Sequence, residues 1–331
     1  MMFRLPDLVV SVLLVVLTAG VIVPVSVGSS RASGKIKCAF NLRQIGLAFI
    51  LYADGERSGS FPRTAFDPES PGPFVAGTPY DDADLPPRAG VSPYLTPTLP
   101  ADLAAYVPQP SDVTTPQFLL LRTQDVTSQI FVCPSTDRTP WPGDPQQHTN
   151  FPGHSPLAGH TSYSTLNPYP TPAAAAAGWK YTNLLGSDDA LAADMNPGTT
   201  PDANSRNHGG LGQNVLYADG HVSFETAPDA GIRRDNLYTA RRDPLPKDAD
   251  PLGPFPGESP MNPPADRFDA VLLPTAAMIG QPADIHVPGG SRRGGAIWPL
   301  VLFATLIVAT VGVIVYRTTR RDDPGTPDAM G

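Results

Sequence analysis

The chain begins and ends with long apolar stretches that enclose a more polar middle. Residues 8–27 and residues 296–316 contain no charged side chain, and each has about the 20 residues that a helix needs to cross a bilayer. Helices buried in water-soluble domains rarely stay apolar on every side for so long. The pattern predicts a transmembrane helix at each end. A cleaved signal peptide is the alternative for the first stretch, because a basic start and an apolar run are common to both.

The first apolar stretch is followed by a segment with helical periodicity. Apolar side chains recur at alternating steps of four and three, at Cys38, Leu42, Ile45, Phe49 and Tyr52. This spacing forms one apolar stripe on a helix, and Asp54 with Gly55 is a typical stop signal. We expect one long helix that ends near residue 54 and packs its second half against the domain.

Short apolar runs in the middle of the chain alternate with loops rich in Pro, Asp and Gly. The predicted elements are, in order, 118–122 and 129–133 (two strands, or a helix and a strand), 161–166, a helix at 173–181, and 190–194. Residues 214–217 and 221–224 are rich in β-forming side chains and flank Asp219 and Gly220. An Asp-Gly pair in this position predicts a hairpin with a type I′ turn, in which both central residues have a positive φ.

Proline usage divides the rest of the chain. The sequence contains 41 prolines in 331 residues, far above average usage, and they are frequent at 243–295. We expect a semi-rigid linker at 243–295, with one short apolar piece at 270–273. The predicted organisation is therefore a membrane segment at 1–29, a domain at 30–242, the linker, the span at 296–316, and a short tail at 317–331.

Charge and motif content exclude several functions. The net charge of −8 disfavours nucleic acid as a partner, because a phosphate backbone requires a basic footprint. The sequence carries no nucleophile elbow, zinc-protease motif, phosphate-binding loop or dinucleotide fingerprint. We expect no enzymatic activity. A thiol dyad of Cys133 with a remote histidine is the weaker alternative.

Cys38 and Cys133 are the two cysteines of the chain. An even number of cysteines in an oxidising compartment permits one disulfide bond. Two unpaired thiols, one of them close to the membrane, are the alternative.

Several spaced motifs are similar to those of a known family. Residues 3–7, FRLPD, stand where that family has a signature close to GFTLIE, and residues 38–48, CAFNLRQIGLA, follow the apolar helix at the family's distance. Residues 131–135, FVCPS, and the two segments 207–210, NHGG, and 219–222, DGHV, complete the set. The chain resembles prepilin-type proteins of the H-X9-DG class, which are pseudopilin-like proteins of type II secretion. The motif positions are Asp7, Pro24, Cys38, Asn41, Leu42, Gln44, Ile45, Gly46, Cys133, Pro134, His208, Gly209, Gly210, Asp219, Gly220 and His221.

Two positions depart from the family pattern. Met2 stands where the family has the glycine that precedes the cleaved bond, so we expect prepilin peptidase to leave the chain uncut. Ten residues separate His208 from Asp219, whereas the family name states nine. A glycine-rich loop readily accommodates one added residue.

The resemblance implies an α+β, pilin-like fold, with a long N-terminal helix packed on a small antiparallel sheet and with loop excursions. It implies a bacterial inner-membrane protein whose central domain lies outside the cytoplasm and whose termini are both cytoplasmic. Lys and Arg counts around the two spans do not decide this orientation. The expected partners are the lipid bilayer and other envelope or pseudopilin-like proteins. Asp7 would pair with the amino terminus of a neighbouring subunit, or would simply be solvated at the interface.

The second apolar stretch leaves the function open. A pilin must leave the bilayer to enter a filament, and a second span would have to leave with it. We therefore expect a membrane-anchored protein that acts through protein contacts and is not a polymerising major subunit. The alternatives are a double-anchored binding or sensing domain outside the cytoplasm and, more remotely, a metal-dependent envelope hydrolase.

No cofactor is expected, although one group of residues suits a divalent ion. His208, Asp219 and His221 combine imidazole and carboxylate ligands, and Asp188, Asp189 and Asp194 are further oxygen donors. Each of these residues also has an ordinary structural explanation, since Asp is common in turns and His208 could hydrogen-bond its glycine-rich loop.

Overall fold

The structure is a computed structural model that describes residues 32–74, 76, 111–148, 150–151, 159–198, 203–241 and 262–279. Within them the helices are α1 at residues 32–55, α2 at Thr115–Thr123 and α3 at Pro172–Ala176. The strands are β1 at Tyr163–Leu166, β2 at Ala190–Asp194, β3 at Gln213–Tyr217, β4 at Val222–Glu225 and β5 at Leu272–Leu273. The fold is α+β with a small antiparallel sheet, as predicted.

The five described strands form one sheet in the order β4-β3-β2-β1-β5, and each neighbouring pair is antiparallel. Every residue of β1, β2 and β3 is buried. A strand buried on both faces has no need to alternate apolar and polar residues. This explains why β2 reads ALAAD and β3 reads QNVLY, with polar side chains that must find partners inside the protein.

Helix α1 packs its predicted stripe on the sheet. Cys38, Leu42, Ile45 and Phe49 are 0% exposed and belong to the same core cluster as Leu216 of β3. A disulfide bond joins Cys38 to Cys133, with Cα atoms 5.0 Å apart and a sequence separation of 95. Beside the bond, the Asn41 side chain donates a hydrogen bond to the Val132 carbonyl at 2.9 Å. The helix is thus fixed to the domain by a covalent bond, a hydrogen bond and apolar packing.

Two of the short apolar runs form helices. Residues 118–122 lie in α2, which selects the helical alternative. Residues 129–133 do not form the predicted strand, because Ser128–Phe131 is a short 3-10 helix. It brings the chain round so that Cys133 reaches α1, and the Phe131 carbonyl accepts a hydrogen bond from the Ser162 N–H at 2.7 Å. A stretch this short cannot be assigned by periodicity alone.

Part of the predicted linker belongs to the sheet. Leu272 and Leu273 pair with Leu166 and Thr165 of β1, and both leucines are 0% exposed. The Asn196 side chain donates a hydrogen bond to the Leu272 carbonyl at 2.9 Å, which fastens the strand from the other side. A two-residue strand has too little pattern to be recognised within a proline-rich segment. The described domain therefore extends to residue 279.

The hairpin between β3 and β4 is present, but its turn is not type I′. Gly220 has φ +88°, whereas Asp219 is not among the described residues with positive φ. The Gly220 N–H donates to the Tyr217 carbonyl at 2.9 Å, and the Tyr217 N–H donates to the His221 carbonyl at 3.0 Å. In hairpin loops of three residues, a type I turn is usually followed by one residue in the left-handed conformation, most often a glycine. The predicted type I′ turn is wrong, since the loop has more than two residues.

The fold described above belongs to one compact unit, Ser33–Pro288. Among the described residues, no helix combines the length and the apolar character that a bilayer span requires. The two predicted spans, at 8–27 and 296–316, lie outside the described residues, as do Asp7 and Pro24.

Candidate functional site

A buried cluster of four potential ligand side chains lies between helix α1 and the sheet. It consists of Cys38, Cys133, Asp194 and His208. One ligand atom of each residue lies within 4.8 Å of the ligand atoms of the other three. The cysteines and Asp194 are 0% exposed, and His208 is 9% exposed. His208 therefore forms the rim of the cluster and is the member closest to solvent.

Each member of the cluster comes from a different part of the chain. Cys38 lies on the inward stripe of α1, and Cys133 follows the 3-10 helix Ser128–Phe131. Asp194 is the last residue of β2, and His208 ends the 3-10 helix Arg206–His208. The fold alone brings them together, since no short sequence motif contains more than one of them.

Two asparagines hold the Asp194 carboxylate. Its Oδ1 accepts a hydrogen bond from the Asn207 side chain at 3.0 Å. Its Oδ2 accepts from the Asn214 backbone N–H at 2.6 Å and from the Asn214 side chain at 3.1 Å. A buried carboxylate is tolerated when both of its oxygens have such donors. The network therefore fixes the position of both carboxylate oxygens.

A single nitrogen of His208 faces the other ligand atoms. Nε2 lies 3.1 Å from the Asp194 Oδ2 and 3.9 Å from the Cys133 Sγ. The Asn214 Nδ2 is 3.0 Å from the same nitrogen. In a catalytic relay the carboxylate and the nucleophile bind different ring nitrogens, so that a proton can pass through the imidazole. Here they share one nitrogen, so the arrangement is convergent and does not form a relay.

Two tyrosines next to the cluster are neutral hydrogen-bond donors. The Tyr238 hydroxyl donates to the Asp194 backbone carbonyl at 2.8 Å, and the Tyr163 hydroxyl donates to the Cys38 carbonyl at 3.4 Å. Burial raises the pKa of both phenols well above the usual value, and the negative charge of Asp194 raises it further. The surroundings of the cluster therefore carry no additional negative charge from these rings.

The glycines after His208 allow the chain to turn back toward β3. Gly209, Gly210 and Gly212 have φ values of +72°, +75° and +148°. A Cβ at Gly212 would also collide with the Glu225 backbone oxygen and the Phe224 ring. Residues other than glycine are strained at such positive φ values. The NHGG motif thus places Asn207 and His208 at Asp194 and then reverses the chain into β3.

The predicted ligand group of His208, Asp219 and His221 is not assembled. Among the described residues, the one group of three or more potential metal ligands is the buried cluster. Asp219 and His221 instead form an exposed pair in the hairpin turn, with the Asp219 Oδ1 2.6 Å from the His221 Nδ1. Hydrogen bonds from the His221 backbone and side chain lower the pKa of Asp219. Both residues serve the turn, and only His208 belongs to the cluster.

Of the three other predicted oxygen donors, only Asp194 belongs to the buried cluster. Asp194 joins the cluster, whereas Asp189 accepts a hydrogen bond from the Gly186 N–H at 2.7 Å within a local turn. Asp188 precedes it in the same turn and is exposed. The sequence does not predict the pairing of Asp194 with His208, because this pairing depends on the position of β2 beside β3. The NHGG motif was the one local signal of a fixed position near His208.

A second feature is an apolar stripe on the outer face of α1, which we call the outer stripe. It consists of Ile36, Phe40, Leu47 and Leu51, whose exposed fractions are 70%, 59%, 58% and 52%. Their spacing places them on one face of the helix. Ile36 and Phe40 also line a cleft of about 490 Å³ with Val132 and Pro134. Helix α1 therefore carries large apolar side chains on the face turned to solvent as well as on the face that packs on the sheet, although exposed Arg43 lies between Phe40 and Leu47.

Comparisons with known proteins identify no relative: no family model, curated protein or solved structure matches this chain.

Proposed function

We propose that this protein is a non-enzymatic, membrane-anchored envelope protein of the pseudopilin-like H-X9-DG kind, and that it acts through protein contacts made by helix α1. The observation that carries the proposal is the outer stripe. Four large apolar side chains more than half exposed on one helical face favour a protein interface, because clustered exposed apolar side chains often mark such a site. A helical face of this kind is a common recognition surface.

The arrangement of helix and sheet supports the pilin-like assignment. The described part of helix α1 follows the first predicted span in the sequence and packs on a small antiparallel sheet. The inward residues Leu42, Ile45 and Gly46 of the CAFNLRQIGLA segment contact the domain, so the motif coincides with the packing surface. Gln44 is half-buried. These features are expected if the segment is a pilin-like helix.

The compartment is proposed from the disulfide and the two predicted spans. A buried disulfide is typical of domains outside the cytoplasm. Two spans place both termini on one side of the inner membrane, and the domain on the other. Extracting the apolar stretch at 296–316 from lipid would cost on the order of tens of kcal/mol by buried-area reasoning. The protein therefore remains anchored and does not polymerise as a major subunit.

The cleft beside α1 favours a second candidate function. It is lined by Ile36, Phe40, Val132, Pro134 and Pro140 among others, and is large enough to accept an apolar side chain or a small ligand. A double-anchored domain that binds or senses a ligand outside the cytoplasm would use this cleft and would need no protein partner. Leu47 and Leu51 do not line the cleft. They are therefore required if the protein binds a partner through the outer stripe, but not if it binds a ligand in the cleft.

Site-specific photocrosslinking in intact cells tests the proposal. A photoreactive residue at Phe40 or Leu47 should give discrete crosslinked products that contain an envelope protein. The matched control is Leu184, which is 72% exposed but lies in a loop far from α1 in sequence. The proposal fails if Leu47 gives no product or the same products as Leu184. Products from Phe40 alone would favour the ligand-binding alternative.

A charge substitution provides the functional half of this test. Leu47→Asp should abolish the crosslink from Phe40, while the unfolding midpoint stays unchanged because exposed positions contribute within about 0.5 kcal/mol. Leu184→Asp is the control and should leave the crosslink intact.

Labelling of single introduced cysteines in intact and permeabilised cells then decides on which side of the membrane the domain lies.

A further inference from the structure

Three kinds of ligand atom converge on one point inside the cluster. The Asp194 Oδ2 and the Cys133 Sγ both face the His208 Nε2, and the Cys38 sulfur is bonded to that of Cys133. Because the carboxylate and the sulfur face the same nitrogen of His208, Asp194 and His208 do not form a catalytic relay. A sulfur pair, an imidazole nitrogen and a carboxylate oxygen are together a donor set that proteins use for zinc and similar ions.

We propose that the reduced form of this protein binds one borderline-soft divalent ion, with Zn²⁺ as the type, through Cys38, Cys133, Asp194 and His208. The four residues then have two alternative states. In one, Cys38 and Cys133 form a disulfide; in the other, all four residues bind the ion. In each state a cross-link ties α1 to the sheet at the same place.

The distances in the cluster are close to those of a tetrahedral site. Ligands about 2.0–2.3 Å from a Zn²⁺ ion lie roughly 3.3–3.8 Å from one another at the corners of a tetrahedron. The His208 Nε2 is 3.1 Å from the Asp194 Oδ2 and 3.9 Å from the Cys133 Sγ. All four ligand atoms lie within 4.8 Å of one another. The two sulfurs are bonded in the structure, so the metal site requires them to move apart to about 3.8 Å by rotation of the two cysteine side chains after reduction.

The polar surroundings match what a metal site requires beyond its ligands. Metal-bound carboxylates are usually held by further hydrogen bonds that fix their orientation. Asn207 and Asn214 hold the two oxygens of Asp194, and Asn207 is itself anchored to the Ser162 carbonyl at 2.7 Å. The Phe224 ring packs edge-on against His208, with ring centroids 6.0 Å apart.

The change of state balances in atoms, electrons and charge. A dithiol reductant gives two electrons and two protons to the Cys38–Cys133 bond, which breaks to leave two thiols, while the reductant becomes a disulfide. The divalent ion then replaces the two thiol protons, which pass to water. Two thiolates neutralise the ion, so the formal charge of the buried cluster does not change. Each chain is synthesised with free thiols, so the reduced state precedes the disulfide.

The first experiment uses Co²⁺ as a spectroscopic probe on the purified full-length chain. Reduced protein, freed of reductant, should bind one Co²⁺ per chain with a thiolate-to-cobalt charge-transfer band, and Zn²⁺ should displace it. The oxidised chain should give no such band. X-ray absorption of the zinc-loaded wild-type protein should show two sulfur and two nitrogen or oxygen neighbours. A reduced chain without the band, or zinc bound by nitrogen and oxygen alone, would overturn the proposal.

Variants then identify the two ligands that are not cysteines. His208→Gln and Asp194→Asn should each weaken Co²⁺ binding by more than about 100-fold, and Asn214→Ala should weaken it by about 10–100-fold through the position of Asp194. His221→Gln is the matched control, because His221 is an exposed histidine paired with an aspartate. The His221→Gln variant should bind Co²⁺ with the same affinity as the wild type. If the His208 and Asp194 variants fail to fold, the wild-type absorption data still decide the question.

Discussion

Gly46 lies against Leu216 so closely that a Cβ at position 46 would come within 2.9 Å of the Leu216 Cδ1. Leu216 is 0% exposed and packs in the core cluster, so its side chain cannot turn out into solvent to make room. A glycine in the middle of a helix costs roughly 0.5–1 kcal/mol relative to alanine, which indicates a packing reason for its presence. Gly46 is the position at which α1 approaches β3.

A larger residue at this contact is therefore expected to destabilise the domain. Gly46→Val should lower the free energy of unfolding by about 1–3 kcal/mol through over-packing. Gly55→Val is the control, because Gly55 is near the end of the same helix and a Cβ there meets nothing within 4 Å. Urea unfolding of both variants gives the comparison. Equal midpoints would show that the helix does not approach the sheet at Gly46.

The disulfide is expected to contribute substantially to stability. It closes a loop with a sequence separation of 95, for which restriction of the unfolded chain is worth about 2–4 kcal/mol. Reduction in the presence of a chelator should lower the unfolding midpoint accordingly. Alkylation of the denatured chain before and after reduction counts the free thiols. Two free thiols before reduction would show that the bond does not form, and packing alone would then hold α1.

The hairpin turn depends on the backbone conformation of Gly220. Its φ is +88°, and a Cβ there meets nothing within 4 Å, so backbone strain alone opposes a substitution. Gly220→Val should destabilise the domain by about 1–3 kcal/mol. Thermal unfolding is the measurement, with Gly55→Val again as the control. A midpoint equal to that of the control would contradict the turn described here.

A buried carboxyl group makes stability depend on pH. Burial raises the pKa of Asp269 to about 6, although the N–H groups of Ala265 and Arg241 donate to its Oδ2. The unfolded value is near 3.8, so the folded state holds a proton that the unfolded state has already lost. This contribution to stability is complete below about pH 4 and disappears as the pH rises to about 6, a loss of roughly 3 kcal/mol at most.

Asp269→Asn should remove that part of the pH dependence. Urea unfolding between pH 4 and pH 7 should show a steeper fall for the wild type than for the variant. Burial also raises the pKa of Asp235, and Asp235 and Asp266 both contact Arg241, so a residual slope is expected in the variant. The difference between the two curves is therefore the relevant quantity. Parallel curves would show that Asp269 ionises normally in the folded chain.

The elements with the longest repeating pattern were predictable from the sequence. The stripe on α1 spans several turns, so its period identified both the helix and its buried face. The hairpin around Gly220 was also predicted, because the Asp219-Gly220 pair is a strong local signal, whereas residues 190–194 were recognised as an element but not as a strand. The turn type was not, since it depends on where strand pairing stops. Strand β5 has two residues, too few for any periodicity.

The candidate site was predictable only in part. Cys38, Cys133 and His208 were singled out by composition and by motif, but their proximity was not, because no spacing rule connects residues on α1, after a 3-10 helix and in a glycine-rich loop. Asp194 was one of several acidic residues with nothing to distinguish it. Its place beside His208 follows from the pairing of β2 with β3 and from the donors Asn207 and Asn214. These are tertiary relationships.

Strand β5 lies at one edge of the sheet although it comes after the other four described strands in the chain. Its partner β1 is complete at Leu166, but Leu272 and Leu273 are synthesised after β2, β3 and β4. Until they arrive, β1 presents a free edge of unpaired N–H and carbonyl groups, which is a site for wrong pairing with another chain. Long-range pairing of this kind also slows folding. The sheet is therefore complete at this edge only after residue 273 has been synthesised, and any delay in the synthesis of the last part of the chain prolongs the exposure of β1.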